Sequence, residues 1–382
     1  MNIYIINNPF HYEIENLTRA FFNNEKMNVI KCDSDIIVNF ADEDFEKTLS
    51  KKIDGEFDSE YSECERAAAI MLFEILSEYT GIRLPWGILT GVRPIKLLHN
   101  LVRELGTDGA DKYFREKLLV TEQKTKLALT TEKNERKILE LSKPDSFSLY
   151  ISVPFCPTRC SYCSFVSQSI EKAKKLVEPY LDLLCQEIKY TAEIAKELNL
   201  RLETVYIGGG TPTTFSAEQL TKLITAINAS FDMKKCREFT IEAGITVHTL
   251  AMKRSSFLTL GGTLVKTGAE PPAAIMMKYC EEKLPQFGYH PYYLYRQSRM
   301  EGNLENVGWS KDGFDGLYNV YVMDETHTIL ACGAGGVSKL REPGVNHLER
   351  IFNYKYPYEY INGFDEMLRR KEQIKTFYGN LK

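Results

Sequence analysis

The sequence predicts an α/β protein whose central part is built from parallel strand–helix units. Three observations carry that reading. The first is the pattern from residue 147 onward, where short β-like runs are each followed by an amphipathic helical stretch, the signature of parallel βα units rather than hairpins. The second is composition: 43% hydrophobic and 26% charged residues are the fractions of a globular chain, and disorder would need far fewer apolar side chains. The third is length, since 382 residues allow two or three domains and a large core.

Taken in order, residues 1–145 mix β-like runs at Asn2–Ile6 and Ile36–Phe40 with helical stretches, clearest over Ser62–Tyr79 and Glu122–Leu141. Gly81 and Gly106 stand where helix C-caps belong, and Pro94 suits a first helical turn. Gly91-Val92-Arg93-Pro94 reads as a turn capping the next helix, with a loop in which Arg93 reaches an anion as the alternative. Lys143-Pro144-Asp145-Ser146 breaks the preceding helix and reads as a linker.

Phe147–Val153 is the first central strand, ending at Pro154. Leu181, Leu184, Cys185, Ile188, Ala192 and Ala195 then recur at helical spacing, so Cys185 is placed on a core face. Glu203–Ile207 is a second strand, followed by a helix that opens with Ser216 and Gln219 in capping-box spacing. Glu238–Ala243 is a third. Ile245–Leu250 also reads as a strand, yet only Gly244 separates the two, whereas parallel neighbours need a crossover of about a dozen residues or more. Either they form one extended segment or connecting βα units are missing. Beyond this come a helix from Pro271-Pro272 to Leu284 and an aromatic β segment, Tyr289–Tyr295. β-rich stretches at Leu317–Met323 and His327–Ala331, a glycine loop at Gly333–Gly336 and a helical tail from Glu359 to Phe377 complete the chain. No repeat or low-complexity tract interrupts it.

Charge and hydropathy exclude several classes of function. A net charge of −4 argues against a chain that coats nucleic acid. The longest apolar run, Ala67–Leu76, is broken by Glu74, so no membrane-spanning helix is expected, and Met1-Asn2-Ile3-Tyr4 lacks the basic-then-apolar design of a secretory signal. The expected location is the cytoplasm. Nine cysteines are an odd number, and Cys32, Cys64, Cys185, Cys236, Cys280 and Cys332 show no paired spacing, which rules against a disulfide framework.

The other three cysteines carry the chemistry. Cys156-x3-Cys160-x2-Cys163 sets three thiols on one short loop at the carboxyl end of a strand, where α/β folds place active sites. Three thiolates hold three irons of a [4Fe-4S] cluster and leave the fourth iron open to an exogenous ligand, whereas a ferredoxin fills that position with a fourth cysteine. A structural zinc is the bland rival. It usually repeats a Cys-x2-Cys pair or finds a nearby histidine, and His99 and His248 are remote in sequence. A second motif, Gly208-Gly209-Gly210-Thr211-Pro212-Thr213, follows the second strand directly and lets a backbone approach a ligand closely; a tight βα turn is its plain alternative.

The cysteine spacing resembles that of the radical S-adenosylmethionine (SAM) enzymes. The strings Tyr150-Ile151-Ser152-Val153-Pro154-Phe155-Cys156 and Tyr162-Cys163-Ser164-Phe165 resemble the branch that holds oxygen-independent coproporphyrinogen III dehydrogenase and its haem-chaperone relatives. The amino-terminal region, Gly302-Asn303-Leu304-Glu305-Asn306-Val307-Gly308 and Gly333-Ala334-Gly335-Gly336-Val337-Ser338-Lys339 are most similar to the Gram-positive-type subgroup. This resemblance implies an incomplete (β/α) TIM-like barrel of the radical SAM type over 146–290, an amino-terminal α/β accessory domain over 1–145 and a carboxyl-terminal α+β cap for substrate over 291–382. It further implies a [4Fe-4S] cluster on Cys156, Cys160 and Cys163, with SAM held by Tyr150, Phe165, Gly209, Gly210, Thr211 and Glu242. SAM chelates the open iron in that family and yields a 5′-deoxyadenosyl radical, which abstracts hydrogen from coproporphyrinogen III propionates and leads through decarboxylation to protoporphyrinogen IX. No catalytic side chain beyond the cluster ligands is assigned. The implied partners are a small porphyrinogen, an electron donor for the cluster and an electron acceptor, with no nucleic acid. Arg296 and Gln297 are candidates for binding propionate, since arginine reads carboxylates bidentately, with surface packing as the alternative. The aromatic residues between 352 and 378 read as core or as a porphyrin-facing wall, and His248 and His290 as structural.

Two departures qualify the resemblance. Ser152 stands where the prototype has a histidine, which favours the branch relatives, and the family carries about two further βα units between Gly244 and the equivalent of Ile245-Thr246-Val247-His248-Thr249. At about 30 residues per unit the missing stretch would hold two barrel strands and several SAM contacts. The chain is therefore expected to bind a cluster and to turn over SAM poorly. The rivals are a haem-binding chaperone that keeps the cluster and an RNA-modifying radical SAM enzyme, the latter expected to show a basic RNA-binding module that is absent here.

Overall fold

The computed structural model describes residues 2–6, 11–21, 28–32, 36–42, 45–51, 63–91, 93–158, 163, 168–241, 245–249, 272–297, 301–345 and 347–381. They fall into two compact units. One gathers the described residues up to Asn134 with 245–249 and 272–314; the other gathers Glu135 to Ile241 with the chain from Asp315 onward.

In the first unit, strands 28–32, 2–6, 36–42 and 45–51 lie side by side in that order, the first pair parallel and the others antiparallel. The helices His11–Phe21 and Glu63–Thr80 bring Ile14, Leu17, Phe21, Leu72, Phe73, Ile75 and Leu76 into one core. Gly81 follows the second helix with φ +68, as a C-terminal glycine should. Gly106 behaves differently: its φ of 74 and ψ of 173 kink the helix Pro94–Lys112, which resumes beyond it rather than ending there. A three-stranded antiparallel sheet, Ile245–Val247, Asn306–Ser310 and His290–Tyr295, completes this unit.

The second unit is built on six strands: β1 (Ser146–Val153), β2 (Arg201–Gly209), β3 (Glu238–Ile241), β4 (Thr328–Cys332), β5 (Val337–Arg341) and β6 (Leu348–Phe352). Their order is β6-β5-β4-β1-β2-β3, with β4, β1, β2 and β3 mutually parallel and β5 and β6 antiparallel. The mixed α/β architecture with a parallel central sheet is the one the strand–helix pattern predicts. Its helices are α1 (Ile170–Glu197), α2 (Ala217–Ser230), α3 (Leu317–Asp324), α4 (Pro357–Asn362) and α5 (Phe364–Gly379). Strand periodicity sends Phe147, Leu149, Ile151 and Val153 of β1 into a core shared with Leu181, Leu184 and Ile188 of α1 and Met367, Ile374 and Phe377 of α5. Half-buried Cys185 packs against the same core. The polar residues Ser148, Tyr150 and Ser152 alternate onto the other face. Ser216 caps α2 in the expected box with Gln219.

One expectation is corrected, and one of two open alternatives falls. Leu317–Met323, read as β-rich, is helical in α3. The run Leu-Tyr-Asn-Val-Tyr-Val-Met has strong strand propensity, but the Glu238 carboxylate accepts the Tyr318 amide at 3.0 Å and so satisfies an otherwise orphaned donor at the helix start. Burial pushes the Glu238 carboxyl up, against the opposing pull of these hydrogen bonds. The strands on either side of Gly244 do not form one extended segment, because β3 belongs to the parallel sheet and Ile245–Val247 to the antiparallel one. Among the described residues no helix is long and apolar enough to cross a membrane.

Candidate functional site

The cysteine loop leaves the carboxyl end of β1, in the middle of the sheet. Pro154 ends the strand, and Phe155 and Cys156 then pair in parallel with Gln168 and Ser169, which pinches the loop shut at its base. The Gln168 amide donates to the Pro154 carbonyl at 2.9 Å and reinforces the closure. Cys156 is 8% exposed at one foot of this loop and Cys163 lies half-buried within it, both as free thiols. Cys160 and Phe165 lie outside the described residues, as does Glu242 just beyond β3. Among the described residues, to which Cys160 does not belong, no three His, Cys, Asp or Glu side chains are grouped to hold a metal ion.

The glycine turn after β2 is fastened to the same loop. Gly210 donates to the Val153 carbonyl and Thr211 to the Phe155 carbonyl, each at 2.7 Å. Gly209 has φ +113, a conformation that side chains rarely adopt. A Cβ at Gly210 would lie 2.5 Å from the Phe155 oxygen and 2.9 Å from the Cys156 sulfur. The missing side chain is what allows the turn to reach the sulfur. A bare backbone laid against a buried thiol, on a loop that carries two further cysteines, is a donor set that fits an iron–sulfur cluster with a small cofactor beside it.

Tyr150, on β1 six residues before Cys156, is held in a stack of three rings. Its centroid lies 6.3 Å from Tyr206 of β2 and 6.0 Å from Tyr318 of α3, and Tyr206 and Tyr318 are 4.5 Å apart, all near parallel. The Tyr150–Tyr206 pairing follows from strand register, where the two residues are direct partners. Tyr318 has no signature in the motifs; only the fold brings it here, and burial raises its phenol well above the ordinary range.

Arg296 and Gln297 lie in the first unit. Arg296 is 3% exposed, donates to the Leu89 carbonyl at 2.7 Å and to Asn303, and lies 5.6 Å over the Trp86 ring. These contacts hold its guanidinium against Leu89, Asn303 and Trp86. The Gln297 amide approaches the Tyr295 hydroxyl at 3.5 Å. A buried triad that the sequence reading missed lies in the same unit: the Lys124 ammonium meets Glu281 and, at 2.5 Å, Glu305, whose other oxygen accepts the Trp86 indole N–H at 2.6 Å. Burial lowers the Lys124 pKa, but the two carboxylates outweigh it and leave the net shift upward.

Residues 150–255 match the Radical SAM superfamily. This chain carries a radical SAM domain. Members of that superfamily use a [4Fe-4S] cluster and SAM. The oxygen-independent coproporphyrinogen-III oxidase-like protein HemZ of Bacillus subtilis is 28% identical over 414 residues, 82% of this chain and 82% of that protein. The oxygen-independent coproporphyrinogen III oxidase of Bradyrhizobium diazoefficiens is 32% identical over 127 residues, 33% of this chain and 27% of that one. The heme chaperone HemW of Bacillus subtilis is 44% identical over 100 residues, covering 25% of this chain and 24% of its own. The domain is thus similar to coproporphyrinogen oxidase-like proteins and to a heme chaperone alike. Among solved structures, Escherichia coli coproporphyrinogen III oxidase (HemN), titled a radical SAM enzyme, superposes with a TM-score of 0.37 at 13% identity, over 61% of this chain and 72% of that one. The alignment to HemZ runs over 414 residues while this chain has 382, so part of that relative has no counterpart here.

Proposed function

We propose that this chain belongs to the oxygen-independent route from coproporphyrinogen III to protoporphyrinogen IX, with Cys156, Cys160 and Cys163 as cluster ligands and Tyr150, Phe165, Gly209, Gly210, Thr211 and Glu242 toward SAM. The observation that carries the reading is the match to a coproporphyrinogen-III oxidase-like protein over 82% of both chains. When bound, the cluster and SAM supply one-electron chemistry for abstracting hydrogen from a propionate side chain. The chain's own part is placement. The strand pairing at 155–156 and 168–169 closes the base of the loop that carries the cysteines, and the turn at 209–211, its Gly210 and Thr211 amides fastened to the Val153 and Phe155 carbonyls, lies beside Cys156 without steric bulk. Tyr150, Tyr206 and Tyr318 stack on that face of the sheet, Tyr318 buried and the other two half-buried.

A second reading, a haem chaperone that keeps the cluster, is favoured by the higher identity of 44% to HemW across the domain, though over only 100 residues. Anaerobic incubation with SAM, dithionite and coproporphyrinogen III separates the two. Stepwise loss of carboxyl mass from the porphyrinogen, with 5′-deoxyadenosine rising in step, supports the decarboxylase. Tight haem binding with unchanged porphyrinogen supports the chaperone. Zinc in place of iron and sulfide after reconstitution defeats both.

A further inference from the structure

The segment just ahead of Cys156 is fastened on two sides, and only one side is the glycine turn at 209–211. On the other side the Tyr180 hydroxyl of α1 donates to the Ser152 carbonyl at 2.8 Å and accepts the Ala334 amide at 2.8 Å, while the Ser152 hydroxyl donates to the Ala334 carbonyl at 2.7 Å. The Tyr180 ring meets Phe155 edge-on at 5.3 Å. The turn that brings Ala334 here is fixed from below. Glu187, fully buried one helical face along α1, accepts the Gly333 amide at 2.7 Å, the Tyr360 hydroxyl at 2.6 Å and the Asn353 side-chain amide at 2.8 Å. Lys371 of α5, equally buried, lies 3.1 Å from the same carboxylate and donates to the Ala331 carbonyl. Gly333 has φ +92, and a Cβ there would lie 2.5 Å from the Tyr180 oxygen and 2.6 Å from the Ser152 oxygen, so the turn is as close to β1 as a backbone can come.

A buried carboxylate is costly unless its oxygens are fully paired, and a core of equal volume could be apolar. Here the bonds made by Glu187 lead to the turn, to Asn353, whose amide also donates to the Gly333 carbonyl, and to helices α4 and α5, and the turn leads to Ser152. We propose that Tyr180 and Glu187 are positioning residues for the cysteine loop, acting through the Gly333–Ala334 turn. The inference rests on the cluster reading given above for Cys156, Cys160 and Cys163, and it adds a second clamp that no part of the cysteine or glycine motifs encodes. Gly333–Gly336 thereby acquires a task distinct from the SAM-facing turn at 209–211.

The test uses the full chain. Tyr180→Phe removes one hydroxyl and nothing else, and Tyr321→Phe, whose hydroxyl donates to the Ile138 carbonyl at 3.2 Å in the same unit, serves as the matched control. Glu187→Gln alone would strand the Lys371 ammonium, so it is made together with Lys371→Met. Two quantities are read: the bleaching half-time of the reconstituted cluster under a chelator, and amide hydrogen exchange at Gly210 and Thr211 in cluster-free protein. Loss of a hydrogen bond corresponds to roughly a fivefold to tenfold change, so Y180F and the double variant are expected to bleach and exchange faster by that factor while Y321F matches wild type. If Y180F behaves like Y321F in both readouts, the clamp is overturned. If wild-type protein takes up no iron and sulfide, the cluster reading fails instead, and the exchange rates alone decide whether the clamp positions the loop.

Discussion

Replacing Gly210 with alanine tests the closest approach in the candidate site. The new methyl group would lie 2.5 Å from the Phe155 carbonyl oxygen and 2.9 Å from the Cys156 sulfur, well inside normal contact distances. The Phe155 oxygen cannot swing aside, because it is backbone, already accepts the Thr211 amide at 2.7 Å and lies in the segment paired with Gln168 and Ser169. Relief therefore requires the turn to lift from the loop, at an overpacking cost of about 1–3 kcal/mol plus about 1 kcal/mol for the hydrogen bond given up. At roughly 2–4 °C per kcal/mol for a unit of this size, the cluster-free protein should melt several degrees lower, followed by circular dichroism. Iron and sulfide per chain should fall in parallel. Gly379→Ala is the control: it meets nothing within 4 Å at the end of α5 and should leave both quantities near wild type. A G210A protein that melts with wild type and carries a full cluster would show that the turn does not press on the sulfur.

Three further substitutions probe the two units. Lys124→Met strands Glu281 and Glu305 in the interior, and breaking such a buried pair costs about 3–5 kcal/mol; a denaturation midpoint within experimental scatter of wild type would remove the triad from the account of stability. His327 is 5% exposed, its ring nitrogens bonded to Ser142 and Ser148 at 2.8 Å each, and burial, helped by Arg201, lowers its pKa to about 3. The unfolded chain binds that proton near pH 6.5 and the folded one does not, so stability contributed by neutral His327 is present above pH 6.5 and lost as pH falls toward about 3, with a slope of about 1.4 kcal/mol per pH unit. Urea midpoints between pH 7 and 5 should fall less steeply in His327→Asn than in wild type, and equal slopes would assign the acid sensitivity elsewhere. Ser216→Ala removes the cap that accepts the Gln219 amide at 3.3 Å and should cost about 1 kcal/mol, with Ser216→Asp restoring it.

What could be read from the sequence was whatever a local pattern encodes. Phe147–Val153, the capped helix after Ser216 and the proline start at Pro94 depend on periodicity, a side-chain cap and a fixed φ, each contained within a few residues. The cysteine and glycine motifs were legible for the same reason, since their chemistry lies in spacing. Their mutual contact was not, because Gly210 lies 54 residues beyond Cys156 and meets it only through the register of β1 against β2. Tyr318, Glu187 and Lys124 escaped notice because a single tyrosine, glutamate or lysine has no local sign of the partner it will meet; those partners, Tyr206, Lys371 and Glu305, come from distant elements. The helix Leu317–Asp324 reverses its propensity for a tertiary reason, the carboxylate of Glu238 waiting at its first turn.

The topology also separates the supports of the cysteine loop from the margin of its sheet. β1, which carries the cysteine loop, is paired along both edges, by β2 on one side and β4 on the other, so its carboxyl end is held by the interior of a sheet rather than by its margin. β3 is the margin: among the described residues it has no strand beyond it, and three residues later the chain joins a different, antiparallel sheet. A deletion after Gly244, which the resemblance implies, would fall past β3 and would leave the supports of the cysteine loop, the turn at 209–211 and the turn at 333–334, in place. Cluster uptake and SAM turnover need not fail together. The first depends on β1 and its two neighbours, and the second also depends on whatever would have extended the sheet past β3, which is why slow formation of 5′-deoxyadenosine on a fully loaded cluster is the outcome this architecture predicts.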